Sequence, residues 1–182
     1  MKIALLSYGS LITKGSKLVK TKWNNKNAPE LPIELCRVTK AGKLVLAVSE
    51  ENGVANKAYV AVAKGTDLNK VIPAVMKIEG IGESQVCVVD IKNKVASERA
   101  NKTPNLSQSI AIWARKNGVD AVIWNGLGKA FKDRINVPFS VQAAVSYVNG
   151  LGAKEKKVQL AYLKSIPAAI KTPVISVLQG EK

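Results

Sequence analysis

Two separated groups of residues in this sequence could contribute to a functional site: a turn rich in backbone N–H groups, and a glutamate at the end of a predicted helix. The first is the turn Tyr8-Gly9-Ser10, which follows the apolar run from Ile3 to Leu6. A glycine can adopt backbone angles closed to other residues, so consecutive N–H groups around Gly9 and Ser10 can point into one concavity and hold a carboxylate or an oxyanion. An ordinary strand-ending turn is the alternative, and it is the commoner origin of a lone Gly-Ser pair.

The second group centres on Glu79, which lies between Ile78 and Gly80. The pattern from Leu68 to Ile78 predicts a helix that Thr66 or Asp67 caps and that Gly80 ends, with Pro73 near its start or at a bend. A carboxylate at a helix C-terminus is unfavourable for the helix dipole, so it usually has another partner. The alternative is an exposed glutamate at the end of a helix.

The composition excludes several kinds of catalytic site. The chain has no histidine, which rules out a Ser-His-Asp triad and a Cys-His dyad, and its cysteines Cys36 and Cys87 lack the C-x-x-C spacing typical of zinc sites. Each cysteine lies in an apolar run, so we expect small buried thiols. With 182 residues and 47% apolar residues, one domain is the expected organisation. No leader pattern opens the sequence and no apolar run approaches roughly 20 residues, so we expect a cytoplasmic protein without a membrane partner.

The formal net charge of +15 arises from 24 lysines and four arginines against 13 acidic residues. A lysine-rich surface attracts phosphate, and the densest stretch, Lys14 to Lys26, contains no acid. Arginine, which reads guanine edges, is scarce, and base-stacking aromatics are few. These features count against specific nucleic-acid binding and favour a solvated lysine-rich face.

The remaining pattern predicts an α+β protein. Alternation over Ile33–Val38 and a second run over Lys43–Val48 predict a β-hairpin, and Lys57–Ala63 predicts a third strand. The second half predicts a strand over 84–91, a helix over 103–116, a buried strand over 119–124 and a helix over 138–151. Short helices follow from about residue 154. We expect a small, mostly antiparallel or mixed barrel of about six strands flanked by helices, with a doubly wound α/β sheet as the alternative.

The opening L-S-Y-G-S-L-I resembles the Y-G-S-L signature of the gamma-glutamylcyclotransferase-like superfamily. In that fold, a catalytic glutamate follows some seventy residues later, often before a glycine, and Ile78-Glu79-Gly80 stands at that separation. The stretches L-P-I-E-L-C-R-V-T-K-A-G-K-L-V-L-A-V, D-A-V-I-W-N-G-L and I-P-A-A-I-K-T-P resemble an uncharacterised bacterial branch of the superfamily. The resemblance implies one gamma-glutamylcyclotransferase-like domain over residues 1–182, with a helical C-terminal extension from about 154.

This resemblance also implies a reaction. In characterised members, a γ-glutamyl amine attacks its own side-chain carbonyl, closes a 5-oxoproline ring and releases the attached amine or peptide, without a metal or cofactor. Glu79 would be the general acid and base. The amides of Tyr8, Gly9, Ser10 and Leu11 would bind the substrate carboxylate or polarise its carbonyl.

Two departures keep a second function class open. Met76-Lys77-Ile78 lacks the acidic residues that often precede the glutamate in the better-known cyclotransferases, and the surface is unusually basic. The alternative is a non-catalytic binding protein on the same fold that holds an acidic small molecule or partner, because fold alone does not fix function. The oligomeric state is not legible in the sequence.

Overall fold

The computed structural model describes residues 1–180 and contains two β-sheets and eight α-helices in that range. The strands are β1 (Ile3–Ser7), β2 (Glu30–Val38), β3 (Leu44–Val48), β4 (Val54–Lys57), β5 (Tyr59–Val62), β6 (Val86–Asp90), β7 (Val95–Ala96) and β8 (Ala121–Asn125). The helices are α1 (Ser10–Lys14), α2 (Leu68–Glu79), α3 (Glu98–Asn101), α4 (Pro104–Lys116), α5 (Lys132–Ile135), α6 (Val141–Asn149), α7 (Ala153–Ser165) and α8 (Pro173–Gln179). A short 3-10 helix covers Glu83–Gln85.

The chain forms two compact units, each built from two segments. The first comprises residues 1–30 and 57–127, and the second comprises residues 31–56 and 128 onwards. The single domain over residues 1–182 stays a prediction. Residues 181 and 182 of that range lie outside the described residues. No helix within residues 1–180 is long and apolar enough to cross a membrane.

The first unit is organised around a mixed five-stranded sheet in the order β5-β1-β8-β6-β7. The fully buried β1 makes the sheet mixed, because it pairs antiparallel with β5 on one side and parallel with β8 on the other. An apolar run on both faces is what a strand covered by helices requires. The parallel pair confirms the mixed sheet predicted from a strand that follows a helix.

Two of the predicted helices belong to the first unit. Asp67 caps α2 by accepting a hydrogen bond from the Asn69 amide, and the helix continues through Pro73 to Glu79. The predicted helix over 103–116 is α4, which Pro104 opens at a position where a missing N–H costs nothing. Both helices are confirmed, although Pro73 lies well inside α2 rather than at its start.

The second unit contains the three-stranded sheet β3-β2-β4 and helices α5 to α8. The predicted hairpin is confirmed, since β2 and β3 pair antiparallel with Ile33 opposite Val48 and Val38 opposite Leu44. Gly42 forms the turn at φ 74°, in the left-handed region that favours glycine. The predicted C-terminal helices are α7 and α8.

The α+β class is confirmed, but the predicted barrel is wrong. The strands form two separate sheets rather than one closed barrel. The single strand predicted over Lys57–Ala63 is likewise divided, because β4 ends in the three-stranded sheet at Lys57 and β5 begins in the five-stranded sheet at Tyr59. Alternation describes an extended chain, but it does not say which partner strand that chain pairs with.

Candidate active site

The helix α2 determines where Glu79 points. Its buried residues are Val71 and Val75, four positions apart, and Glu79 continues the same line after four more. Residues at this spacing share one helix face, so Glu79 is directed toward the sheet side and is half-buried. Gly80 ends the helix at φ 65°. Glu79 is therefore less exposed than the alternative of an exposed helix-end glutamate requires.

Both oxygens of the Glu79 carboxylate accept hydrogen bonds from side chains. The Ser10 hydroxyl donates to Oε1 at 3.0 Å, and the Asn125 Nδ2 donates to Oε2 at 2.8 Å. The partners lie 69 and 46 residues away along the chain. Two neutral donors on two different oxygens hold the carboxylate in one orientation, and hydrogen bonds to a charged acceptor are stronger than those between neutral groups.

Asn125 is itself oriented by its neighbours. Its Oδ1 accepts a hydrogen bond from the Leu127 amide at 2.8 Å, which leaves the Nδ2 group to face Glu79. Its carbonyl oxygen accepts from the Tyr8 hydroxyl at 3.1 Å. This arrangement follows from the sheet, since β1 and β8 are parallel neighbours and both end at the same edge. Tyr8, Ser10 and Asn125 therefore meet at the carboxyl ends of two adjacent strands.

The predicted turn is made by the end of β1 and the short helix α1. Gly9 has φ −159° and ψ −127°, outside the left-handed region. A Cβ added at Gly9 would have no heavy atom within 4 Å, which leaves open space beside the turn. The Gly9 amide donates to the Ser7 hydroxyl, whereas the Ser10 and Leu11 amides have no acceptor within residues 1–180. Both amides belong to the first turn of α1, where N–H groups have no partner within the helix.

The residues predicted from the sequence therefore come together only in part. Ser10 contacts Glu79 directly, and Tyr8 reaches the site through Asn125. Gly9 contributes open space, and the side chain of Leu11 is buried in the apolar core of the unit. Asn125, the last residue of β8, contacts Glu79 directly and so belongs to the candidate site. Trp23 lies outside the site and packs against the apolar core.

The backbone at Gly126, directly after Asn125, is tightly packed. Gly126 donates its amide to the Gln85 carbonyl and accepts from the Arg99 Nε at 2.5 Å. Cys87 lies against Gly126, and burial raises the pKa of the Cys87 thiol to about 12. Burial also raises the pKa of Cys36 to about 12. Both thiols stay protonated at neutral pH, so they are poor nucleophiles and the expectation of small buried thiols is confirmed.

Two cavities of the first unit, of about 350 and 280 Å³, are not lined by Glu79. One of about 350 Å³ is lined mainly by apolar side chains such as Leu68, Ile72 and Val88, together with the acids Glu83 and Asp90. Its polar lining also includes Asn93 and Ser97. Within residues 1–180 no group of three His, Cys, Asp or Glu side chains is placed to hold a metal ion.

Comparisons with known proteins found no match: no family model matches the sequence, no curated protein matches it, and no solved structure matches the fold. The resemblance to the gamma-glutamylcyclotransferase-like superfamily therefore stays a prediction. The site must be interpreted from its own geometry.

Proposed function

We propose that this protein is a cyclotransferase-type enzyme that releases 5-oxoproline from a γ-glutamyl amine or peptide, with Glu79 as general acid and base. The observation that carries the proposal is the carboxylate of Glu79 held by Ser10 on one oxygen and by Asn125 on the other. A carboxylate with this support has a fixed direction for proton transfer, which is what a positioned acid–base group requires. The predicted turn supplies one of its two partners.

The proposed reaction assigns a role to each group. The substrate's α-amine nitrogen forms a bond to its own side-chain carbonyl carbon, and the bond from that carbon to the leaving nitrogen breaks. Glu79 accepts one proton from the α-ammonium so that the neutral amine can attack, and the ring nitrogen loses a second proton once the ring has closed. Glu79 passes these two protons in turn to the leaving nitrogen, which departs as an ammonium, so the ring nitrogen keeps one hydrogen and the charge is conserved. The amides of Ser10 and Leu11, which have no acceptor within residues 1–180, bind the substrate carboxylate or the oxyanion that develops on the carbonyl.

The surroundings of the turn fit a small substrate. The open space beside Gly9 lets a ligand approach the backbone closely. Asn125 acts as a positioning residue, because its own carbonyl and Oδ1 are occupied by Tyr8 and Leu127 while its Nδ2 group holds Glu79. Loss of Asn125 is then expected to affect turnover through the orientation of the carboxylate.

The test is an incubation with a panel of γ-glutamyl amines and dipeptides, with 5-oxoproline release as the readout. Glu79→Gln is expected to reduce turnover by about a hundredfold to ten-thousandfold, the usual contribution of one acid–base group. The matched control is Glu83→Gln, the same change at an exposed glutamate four residues later. Thermal unfolding of both variants separates loss of chemistry from loss of folding.

Three outcomes contradict the proposal: no release from any substrate, equal release from Glu79→Gln, or an equal loss in Glu83→Gln. A non-catalytic binding protein is the alternative. It is indicated if γ-glutamyl compounds raise the melting temperature without turnover and if this effect is lost when Ser10 is replaced by alanine.

A further inference from the structure

A row of exposed lysines follows one edge of the five-stranded sheet, outside the candidate active site. We define the lysine edge as Lys17, Lys20, Lys22, Lys26, Lys57 and Lys64, all of them exposed. Within residues 1–180, none of these six side chains takes part in an ion pair. We infer that the lysine edge binds the phosphate backbone of duplex nucleic acid without regard to base sequence.

Backbone hydrogen bonds bring these lysines into one row. The segment from residue 17 to 26 lies along the free side of β5, where Lys20 N donates to the Val62 carbonyl at 2.8 Å and Asn24 exchanges two bonds with Val60. Lys64 N donates to the Leu18 carbonyl at 2.9 Å, which places Lys64 beside the start of the segment. At the other end, Lys57 Nζ donates to the Lys26 carbonyl at 3.3 Å. The row is thus set by the fold.

The charge of this region is almost entirely positive. The first 29 residues contain no aspartate or glutamate. The acids nearest to these lysines along the chain are Glu30, Glu51 and Asp67. Glu51 forms an ion pair with Lys129, and the Asp67 side chain caps α2. Unpaired ammonium groups on an exposed surface attract a polyanion through long-range electrostatics.

The length of the row suits a polymer rather than a single small anion. Lys64 lies seven positions after Lys57, and extended chain rises about 3.3 Å per residue, so the row is roughly 23 Å long. Duplex DNA carries one phosphate charge per about 1.7 Å of its axis, so this length offers on the order of a dozen phosphates. Lysine binds phosphate as a point charge, which needs no fixed geometry.

The same surface lacks the means to read bases. Trp23, the only aromatic residue in the segment, packs against the apolar core, so it forms no platform for base stacking. The segments that carry these lysines, residues 17–26 and 57–64, contain no arginine, the residue that makes the commonest contact to guanine. Contacts to phosphate alone give affinity without sequence preference.

The experiment measures binding of the full chain to a fluorescently labelled 20-base-pair DNA over a range of salt concentrations. The edge variant replaces Lys17, Lys20 and Lys22 with glutamine. The control variant replaces three exposed lysines of α7, Lys154, Lys157 and Lys164, with glutamine and so removes the same charge. Thermal unfolding confirms that both variants stay folded.

We expect the plot of log affinity against log salt concentration to become shallower by about 2.7 in the edge variant, because each lost phosphate contact contributes about 0.9 to the slope. The slope of the α7 variant should change by less than one. A second DNA of different base sequence should bind with the same affinity.

Equal weakening in both variants would overturn the inference, because net charge alone would then explain the binding. It would also be overturned by an absence of binding at low salt, or by polyglutamate of equal charge binding more tightly than DNA. The last result would indicate an acidic protein partner. Activity toward γ-glutamyl substrates does not enter the test, so the two proposals can fail independently.

Discussion

Gly126 is the residue whose replacement most directly tests the packing beneath Asn125. A Cβ added there would lie 2.4 Å from the Cys87 Sγ, 2.8 Å from the Arg99 Cγ and 3.2 Å from the Gln85 carbonyl oxygen. Two of these distances are shorter than the 3.0 Å below which real Cβ contacts are essentially never found. The strand cannot move away freely, because Gly126 is hydrogen-bonded to both Gln85 and Arg99.

The expected cost of Gly126→Ala follows from this overlap. Overpacking in a well-packed core typically costs about 1–3 kcal/mol of unfolding free energy. For a chain of this size each kcal/mol lowers the melting temperature by about 2–4 °C, so a decrease of roughly 2–12 °C is expected. Because Asn125 precedes the strained residue, 5-oxoproline release should fall as well if the proposed function is right.

The measurement is urea unfolding of a double-mutant cycle between Gly126→Ala and Cys87→Ala. The single change at Cys87 removes one buried sulfur atom and is expected to cost about 1 kcal/mol. In the double variant the new methyl group occupies part of the space that the sulfur leaves, so the combined loss should be smaller than the sum by about 1 kcal/mol.

The control for this cycle is Gly82→Ala, since a Cβ at Gly82 would meet only the Gln85 Oε1, at an ordinary 3.9 Å. Its stability should change by less than about 0.5 kcal/mol. The packing argument is refuted if Gly126→Ala is as stable as the parent protein, or if the two changes in the cycle are simply additive.

Two further predictions concern buried polar groups of the second unit. Burial raises the pKa of Glu34, whose carboxylate accepts from Thr172, so the folded state holds a proton that the unfolded state loses above its ordinary pKa of 4.5. Stability from this group is full below that pH and falls as pH rises toward the raised pKa. In urea titrations, the stability of Glu34→Gln relative to the parent protein should therefore increase as pH rises above 4.5, and a pH-independent difference contradicts this. Gln159 pairs with both backbone groups of Leu44, at 2.8 and 2.9 Å, so Gln159→Leu should cost about 2–5 kcal/mol, whereas the exposed Gln142→Leu should cost almost nothing.

The elements of this fold were largely predictable from local patterns, but their assembly into sheets was not. The hairpin of β2 and β3 follows from two apolar runs joined at Gly42, and α2 follows from Asp67, the apolar spacing and Gly80. The division of the third predicted strand at Ala58 leaves no local signal, because both halves have the composition of an extended chain. The prediction of a barrel was wrong because closure of a sheet depends on pairing between strands far apart in the sequence, which local patterns do not specify.

The partners of the candidate site were harder to predict than its carboxylate. Asn125 and Glu79 lie 46 residues apart, and their contact depends on β8 lying beside β1 rather than elsewhere in the sheet. An Asn-Gly pair at the end of a strand usually forms a turn. The sequence alone therefore does not distinguish an asparagine that faces a ligand from one that lies in a loop. The parallel pairing of the two strands supplies that distinction.

The direction of Glu79, by contrast, follows from spacing that the sequence contains. A glutamate after the last apolar residue of a helix can belong to the solvent side or to the buried side. The buried residues of α2 decide between them, because Val71, Val75 and Glu79 recur every four positions and therefore lie on one face. Lys77, two positions before Glu79, falls on a different face and is exposed. A carboxylate kept on the core-facing line of a helix must find donors there, and Ser10 and Asn125 provide them.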